Sequence, residues 1–124
     1  MSLAETTTIV KRAQVTHDAF LGGRLTVAQP AKGFRAGLDS VLLGASVGHA
    51  SGDLLDLGAG AGTAALVALA DLPGLSAALV ESDPALAALA VDNLAANGLA
   101  ARGRVLTLDI TAPGRARAAA GLAA

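Results

Sequence analysis

The segment Asp53-Leu54-Leu55-Asp56-Leu57-Gly58-Ala59-Gly60-Ala61-Gly62-Thr63 sets the tightest limit on how this chain folds. An apolar strand ends in a carboxylate, glycines follow at alternate positions, and a helical pattern starts at Thr63. In a parallel α/β sheet ligands sit at the carboxyl ends of the strands, where glycine lets the backbone approach them closely. The segment reads as a nucleotide-cofactor turn. A dinucleotide fingerprint, G-x-G-x-x-G, would place its third glycine where this chain has Thr63. The pattern is G-x-G-x-G instead. Dinucleotide loops aim helix N–H groups at a pyrophosphate, whereas S-adenosylmethionine has no phosphate and carries a sulfonium, an ammonium and a carboxylate. The spacing disfavours NAD, and a plain βα turn without a ligand is the remaining alternative.

The next strand, Ser76-Ala77-Ala78-Leu79-Val80, ends at Glu81, and Ser82-Asp83-Pro84 opens a helix through an N-cap and a proline in the first turn. A carboxylate about twenty residues past the glycines can accept from both ribose hydroxyls of a bound nucleoside. A third strand, Arg104-Val105-Leu106-Thr107-Leu108, ends at Asp109, so acids stand at three consecutive strand ends: Asp56, Glu81 and Asp109. Asp109 is placed to accept from an adenine amine, or else to cap the next segment. Helices are expected over Thr63 to Ala70 and Pro84 to Ala96, the second stopped by Asn97-Gly98. Upstream, Gly22-Gly23 reads as a two-residue hairpin turn between Phe20-Leu21 and Arg24-Leu25, and Asp39-Ser40 as the cap of a helix over 41–47 ending near Gly48. Strands alternating with helices predict an α/β fold with a parallel sheet covered on both faces, and right-handed crossovers give the strand order 3-2-1.

With 124 residues, 53% of them hydrophobic, and a net charge of −1, the chain is expected to form one globular unit. Apolar runs are broken well before the roughly twenty residues of a membrane span, and the polar start Ala4-Glu5-Thr6 lacks a signal-peptide layout, so no membrane contact and a cytoplasmic location are expected. The absence of cysteine excludes disulfides and thiolate metal sites. The separated histidines His17 and His49 make no metal site by themselves. The charge balance argues against a pervasive nucleic-acid footprint, leaving local patches such as Arg24, Lys32 and Arg35, and the looser set Arg102, Arg104, Arg115 and Arg117.

Asp56-Leu57-Gly58-Ala59-Gly60-Ala61-Gly62 resembles the first motif of class I S-adenosylmethionine-dependent methyltransferases, Val80-Glu81-Ser82-Asp83-Pro84 the second, and Leu108-Asp109-Ile110 the third. Phe20-Leu21-Gly22-Gly23-Arg24-Leu25, Gln29-Pro30, Gly33-Phe34-Arg35 and Leu38-Asp39-Ser40-Val41-Leu42-Leu43, with Asn93 and Asn97-Gly98-Leu99, resemble the bacterial tRNA1(Val) adenine-37 N6-methyltransferase family. The likeness spans residues about 17 to 111. It implies a Rossmann-like methyltransferase fold, S-adenosyl-L-methionine as cofactor, and tRNA or another nucleic acid as partner. The cofactor residues it implies are Arg35, Asp39, Asp56, Gly58, Gly60, Gly62, Glu81 and Asp109, with Arg35 and Asp39 beside the methionine end. Arg35 would pair with the ligand carboxylate; a surface salt bridge is the other reading of it. Methyltransferases of rRNA or of protein glutamine share parts of the upstream pattern, and a non-catalytic cofactor-binding or dimerisation module is the reading outside enzymes.

Three departures accompany the resemblance. Ser82 stands where relatives carry an apolar platform for adenine, and Ala61 where Thr or Ser is frequent. The Asn-Pro-Pro-aromatic segment after the fourth strand, which orients and stacks the acceptor base in that family, is not reached before Ala124, so no catalytic residue is assigned. Phe34 is the aromatic candidate for that stacking, with core packing as its ordinary role. The expected organisation is a hairpin and helix over 1–50, then the first half of a cofactor-binding domain over 51–124. An incomplete sheet would leave strand one as an apolar edge for self-association, with the Ala-rich 115–124 segment as a helix able to dock there.

Overall fold

The computed structural model describes residues 14–33, 35–48, 51–111 and 113–114. Phe34, His49 and the 115–124 segment lie outside them. An antiparallel hairpin, β1 (Val15–Phe20) and β2 (Leu25–Pro30), leads into helix α1 (Leu38–Ala45). The alternating part follows: β3 (Ser51–Leu57), α2 (Thr63–Asp71), β4 (Gly74–Glu81), α3 (Pro84–Ala96) and β5 (Gly103–Thr107). The three later strands are parallel in the order β3-β4-β5, as the crossover rule requires, with Asp56 opposite Leu79 and Leu79 opposite Val105.

The core lies on one face of this sheet. Leu54, Leu75, Ala77, Leu79 and Val105 point toward α2 and α3, and Leu25 and Val27 of the hairpin join the same cluster. Helix α2 is buried from Ala65 through Leu69, which is why its sequence is apolar all round rather than striped. Alanine and glycine permit this density in a chain with two phenylalanines and no tryptophan or tyrosine. At Gly44 of α1 a Cβ would meet the Ala64 carbonyl oxygen and sit 2.7 Å from Val67 Cβ, so the α1–α2 crossing depends on that hydrogen.

The expectation of helices on both faces is corrected. The opposite face carries Leu55 and Leu57, 51% and 52% exposed, and no described helix covers it. The crossovers β3–α2–β4 and β4–α3–β5 step the same way across the sheet, and with the same right-handed sense they put both helices on one face.

Two local readings also differ. The hairpin closes at Phe20–Leu25, leaving a four-residue loop, Leu21 to Arg24, rather than a two-residue turn. Leu21 takes φ 53°, and it does so because its side chain packs against the core, which offsets a left-handed penalty of about 1–2 kcal/mol. Helix α1 starts at Leu38 with Gly37 as N-cap, so Asp39 lies in the first turn instead of capping. The Ala36 N–H donates to Gln29 Oε1 at 2.9 Å, which fixes the entry of the chain ahead of the sequence-expected cap. Among the described residues no helix is long and apolar enough to cross a membrane.

Candidate functional site

The glycine turn folds over the end of β4. Gly58 and Ala59 donate their N–H groups to the Val80 carbonyl at 2.8 and 2.9 Å, and Gly60 donates to Glu81 Oε1 at 2.9 Å. All three glycines are left-handed, with φ of 73°, 59° and 96° at Gly58, Gly60 and Gly62, a region closed to most side chains. Gly62 has a second reason: a Cβ there would stand 3.0 Å from Leu79 Cδ2. Glycine at alternate positions is thus what lets the turn reverse twice and enter α2.

The turn forms one wall of a cleft of about 180 Å³, with Gln29, Ser40, Leu43, Asp56, Thr63 and Leu86 among its lining residues. This enclosed volume is below the roughly 300–1,000 Å³ of a complete small-molecule pocket.

Asp56 and Glu81 reach this region from the ends of adjacent strands, two positions apart in register on the same face. Glu81 is 9% exposed; Oε1 takes the Gly60 N–H and Oε2 the Asp83 N–H at 2.8 Å. Its carboxylate ties the glycine turn to the start of α3, and each oxygen retains a lone pair. Asp56 is different. Its Oδ2 is out of solvent with no hydrogen-bond partner, and its pKa is raised, first by burial and then by the Glu81 charge. The Thr63 hydroxyl, on the same cleft, is also buried and unpartnered. Two residues lining the glycine-walled cleft thus each keep a buried polar atom without a partner.

The remaining expected residues stand elsewhere. Arg35 donates to Thr16 Oγ1 and Asp18 Oδ2, both at 2.9 Å, and to the Pro30 carbonyl, so its guanidinium clips β1 to β2. The salt bridge with Asp18 is the second reading that the sequence offered for Arg35. Asp18 is held below the ordinary carboxylate value by hydrogen bonds from Gln29 and Thr16 and by the Arg35 charge. Asp39 is exposed on the first turn of α1 and is not part of the cleft lining. Asp109 lies two residues past β5, exposed, where Oδ1 accepts from the Thr111 N–H and hydroxyl at 2.8 and 2.7 Å; these bonds lower its pKa. Asp56, Gly58, Gly60, Gly62 and Glu81 therefore converge on one place, while Arg35, Asp39 and Asp109 do not join them in this structure.

Three residues acquire site roles that no motif assigned. Gln29 is 3% exposed and lines the cleft, its amide fixed by Asp18 on one side and Ala36 on the other. Thr63 is the residue that breaks the dinucleotide spacing. Asn93, 2% exposed, donates to the Ala61 carbonyl at 2.8 Å and so holds the glycine turn from behind. No group of three or more His, Cys, Asp or Glu able to hold a metal occurs among the described residues.

Comparison with solved structures gives the same architecture. TYW2 of P. horikoshii, in complex with MeSAdo, superposes with a TM-score of 0.68 at 22% identity over 82% of this chain and 39% of its own. TYW2 of M. jannaschii, in complex with AdoMet, gives 0.66 at 15% identity over 77% and 44%. A predicted O-methyltransferase, Atu636 from Agrobacterium tumefaciens, gives 0.58 at 34% identity over 66% and 41%. The chain thus spans less than half the length of each of these proteins. No curated protein matches it. The methyltransferase small domain family matches residues 37–119, more than half of the chain and the whole glycine-turn unit, so this Rossmann-like chain belongs to the methyltransferase small domain family.

Proposed function

We propose that the chain is the S-adenosyl-L-methionine-binding portion of a methyltransferase whose acceptor is an adenine amino group in tRNA. The observation that carries the cofactor is Asp56, which lines a cleft whose wall is glycine and has one carboxylate oxygen buried without a partner. An ammonium group satisfies it, and a charge-assisted hydrogen bond of this kind contributes roughly 1.5–3 kcal/mol. Thr63 offers its hydroxyl beside it, Gly58, Gly60 and Gly62 admit the ligand close to the backbone, and Glu81 has lone pairs left for ribose hydroxyls. When bound, the cofactor supplies a methyl group on an electrophilic sulfonium. The chain's own residues orient its amino-acid and ribose ends and keep water from the Asp56 carboxylate. Structures with AdoMet and with MeSAdo among the fold's neighbours support the same ligand.

The tRNA acceptor rests on the upstream resemblance, residues 20–43 with Asn93 and Asn97. The experiment has two parts. Calorimetry of the 124-residue chain, shown folded by circular dichroism, is expected to detect S-adenosylhomocysteine and not NAD; binding of NAD alone overturns the cofactor. Transfer of labelled methyl groups by the protein onto separate pools of tRNA, rRNA and protein is expected to mark tRNA, recovered as N6-methyladenosine. Label confined to rRNA or to protein glutamine overturns the acceptor.

A further inference from the structure

Helix α3 grips the hairpin through two carboxamides rather than through apolar contact alone. Asn93 Oδ1 accepts from the Ala28 N–H at 2.8 Å and its Nδ2 donates to the Ala28 carbonyl at 2.9 Å. One turn later Asn97 repeats the pattern on Thr26, at 3.0 and 2.8 Å. The match is geometric: four helical residues advance about 6 Å and two strand residues about 6.8 Å, so side chains at i and i+4 meet alternate peptide groups of β2 as a neighbouring strand would.

Asn93 differs from Asn97 in one respect. Its second amide hydrogen goes to the Ala61 carbonyl inside the glycine turn, whereas that of Asn97 goes back to the Asn93 carbonyl at 2.7 Å. Ala61 lies in one wall of the cleft, and Gln29 and Pro30, which follow Ala28 directly, lie in another. A single buried side chain therefore spans both walls. We infer that Asn93 is a positioning residue that sets the width of the cofactor cleft by holding the glycine turn and strand β2 at a fixed separation. This rests on the reading of the cleft as an S-adenosylmethionine site.

Asn97 supplies the control, because it makes the same bonds to the hairpin without touching the glycine turn. Asn93→Asp keeps the acceptor for Ala28 but replaces both donors with a carboxylate facing two carbonyls. At pH 8 it is expected to weaken S-adenosylhomocysteine binding by about tenfold or more, the loss of one to two hydrogen bonds. Asn93→Ser, with one donor, is expected to fall between, and serves if the aspartate variant does not fold. Asn97→Ala is expected to lower the melting temperature with the dissociation constant unchanged. Amide exchange in the unliganded chain provides a second readout: the N–H groups of Gly60 and Gly62 are expected to lose protection in the Asn93 variants and keep it in Asn97→Ala. Unchanged affinity and protection in the Asn93 variants overturn the inference, as does an equal loss in Asn97→Ala. Should the unaltered chain bind no S-adenosylhomocysteine, the cofactor reading fails, and exchange at Gly60 and Gly62 still decides the role of Asn93.

Discussion

Replacing Asp56 with asparagine is expected to move stability and ligand affinity in opposite directions. In the unliganded chain the Asp56 carboxylate is buried beside Glu81 with Oδ2 unpartnered, and its pKa is raised. The folded state then holds a proton that the unfolded state has already released. Stability attached to this group is complete below the ordinary carboxylate pKa and is lost as pH rises through the folded value. Above the folded value the cost is fully present. An amide is neutral and nearly isosteric, so Asp56→Asn removes the buried charge beside Glu81 but still leaves one polar group unpaired, and is expected to stabilise the empty chain at pH 7.5 by about 1 kcal/mol. In a domain of this size that raises the melting temperature by roughly 4 °C per kcal/mol. The advantage fades as pH falls through the folded value and disappears below the ordinary carboxylate pKa, where Asp56 is protonated in both states. Binding shows the reverse sign: without the negative charge, an ammonium loses about 1.5–3 kcal/mol, or roughly 10–150-fold in affinity for S-adenosylhomocysteine. Urea unfolding of both chains at about pH 3, 5.5 and 7.5, paired with calorimetry, reads both effects. A variant less stable than its parent at pH 7.5, a stability gap that does not change with pH, or unaltered affinity would each refute the reasoning.

Gly62→Ala forces a left-handed alanine against Leu79 Cδ2 and is expected to cost about 1–3 kcal/mol; an unchanged urea midpoint would count against it. Arg102 donates to the carbonyls of Leu69, Leu72 and Leu75, closing the end of α2, so Arg102→Ala is expected to destabilise by about 2–4 kcal/mol. Chemical denaturation measures that loss. β3 pairs only with β4 among the described residues, and Leu55 and Leu57 stand exposed beside its free edge. The 124-residue chain is expected to self-associate at micromolar concentration and Leu57→Lys to weaken that association; light scattering from a stable monomer of the unaltered chain contradicts this.

What was legible in the sequence is what local chemistry specifies. The glycine turn, the helices it feeds, the Asp83–Pro84 start of α3 and the position of Glu81 at the end of β4 all follow from residues within a few positions of one another. Parallel register brings the strand ends of Asp56 and Glu81 together, but the same reasoning included Asp109, which lies past β5 and turns to Thr111 instead. The hydrogen bonds of Gln29, Asn93 and Arg102 were not legible, since most of their partners are backbone groups far away in the chain, and every residue carries those. Asn93 falls among the apolar positions of α3 by periodicity, yet its carboxamide is wholly consumed by Ala28 and Ala61. Arg102 reads as one of several surface cations until its guanidinium is seen to reach the carbonyls of Leu69, Leu72 and Leu75 at the end of α2. The early start of α1 escaped for the same reason, because Gln29 from another element fixes the entry.

The amides of α3 recognise β2 by its peptide groups, which has a consequence for how the hairpin tolerates change. Thr26 is exposed, and what Asn97 requires of it is an N–H and a carbonyl, so the position is expected to accept any side chain with an amide hydrogen. Ala28 is constrained in size by its burial but not in chemistry. Proline is the one residue excluded at both places, because it removes the donor. The hairpin can therefore diverge widely in sequence while it stays docked on α3.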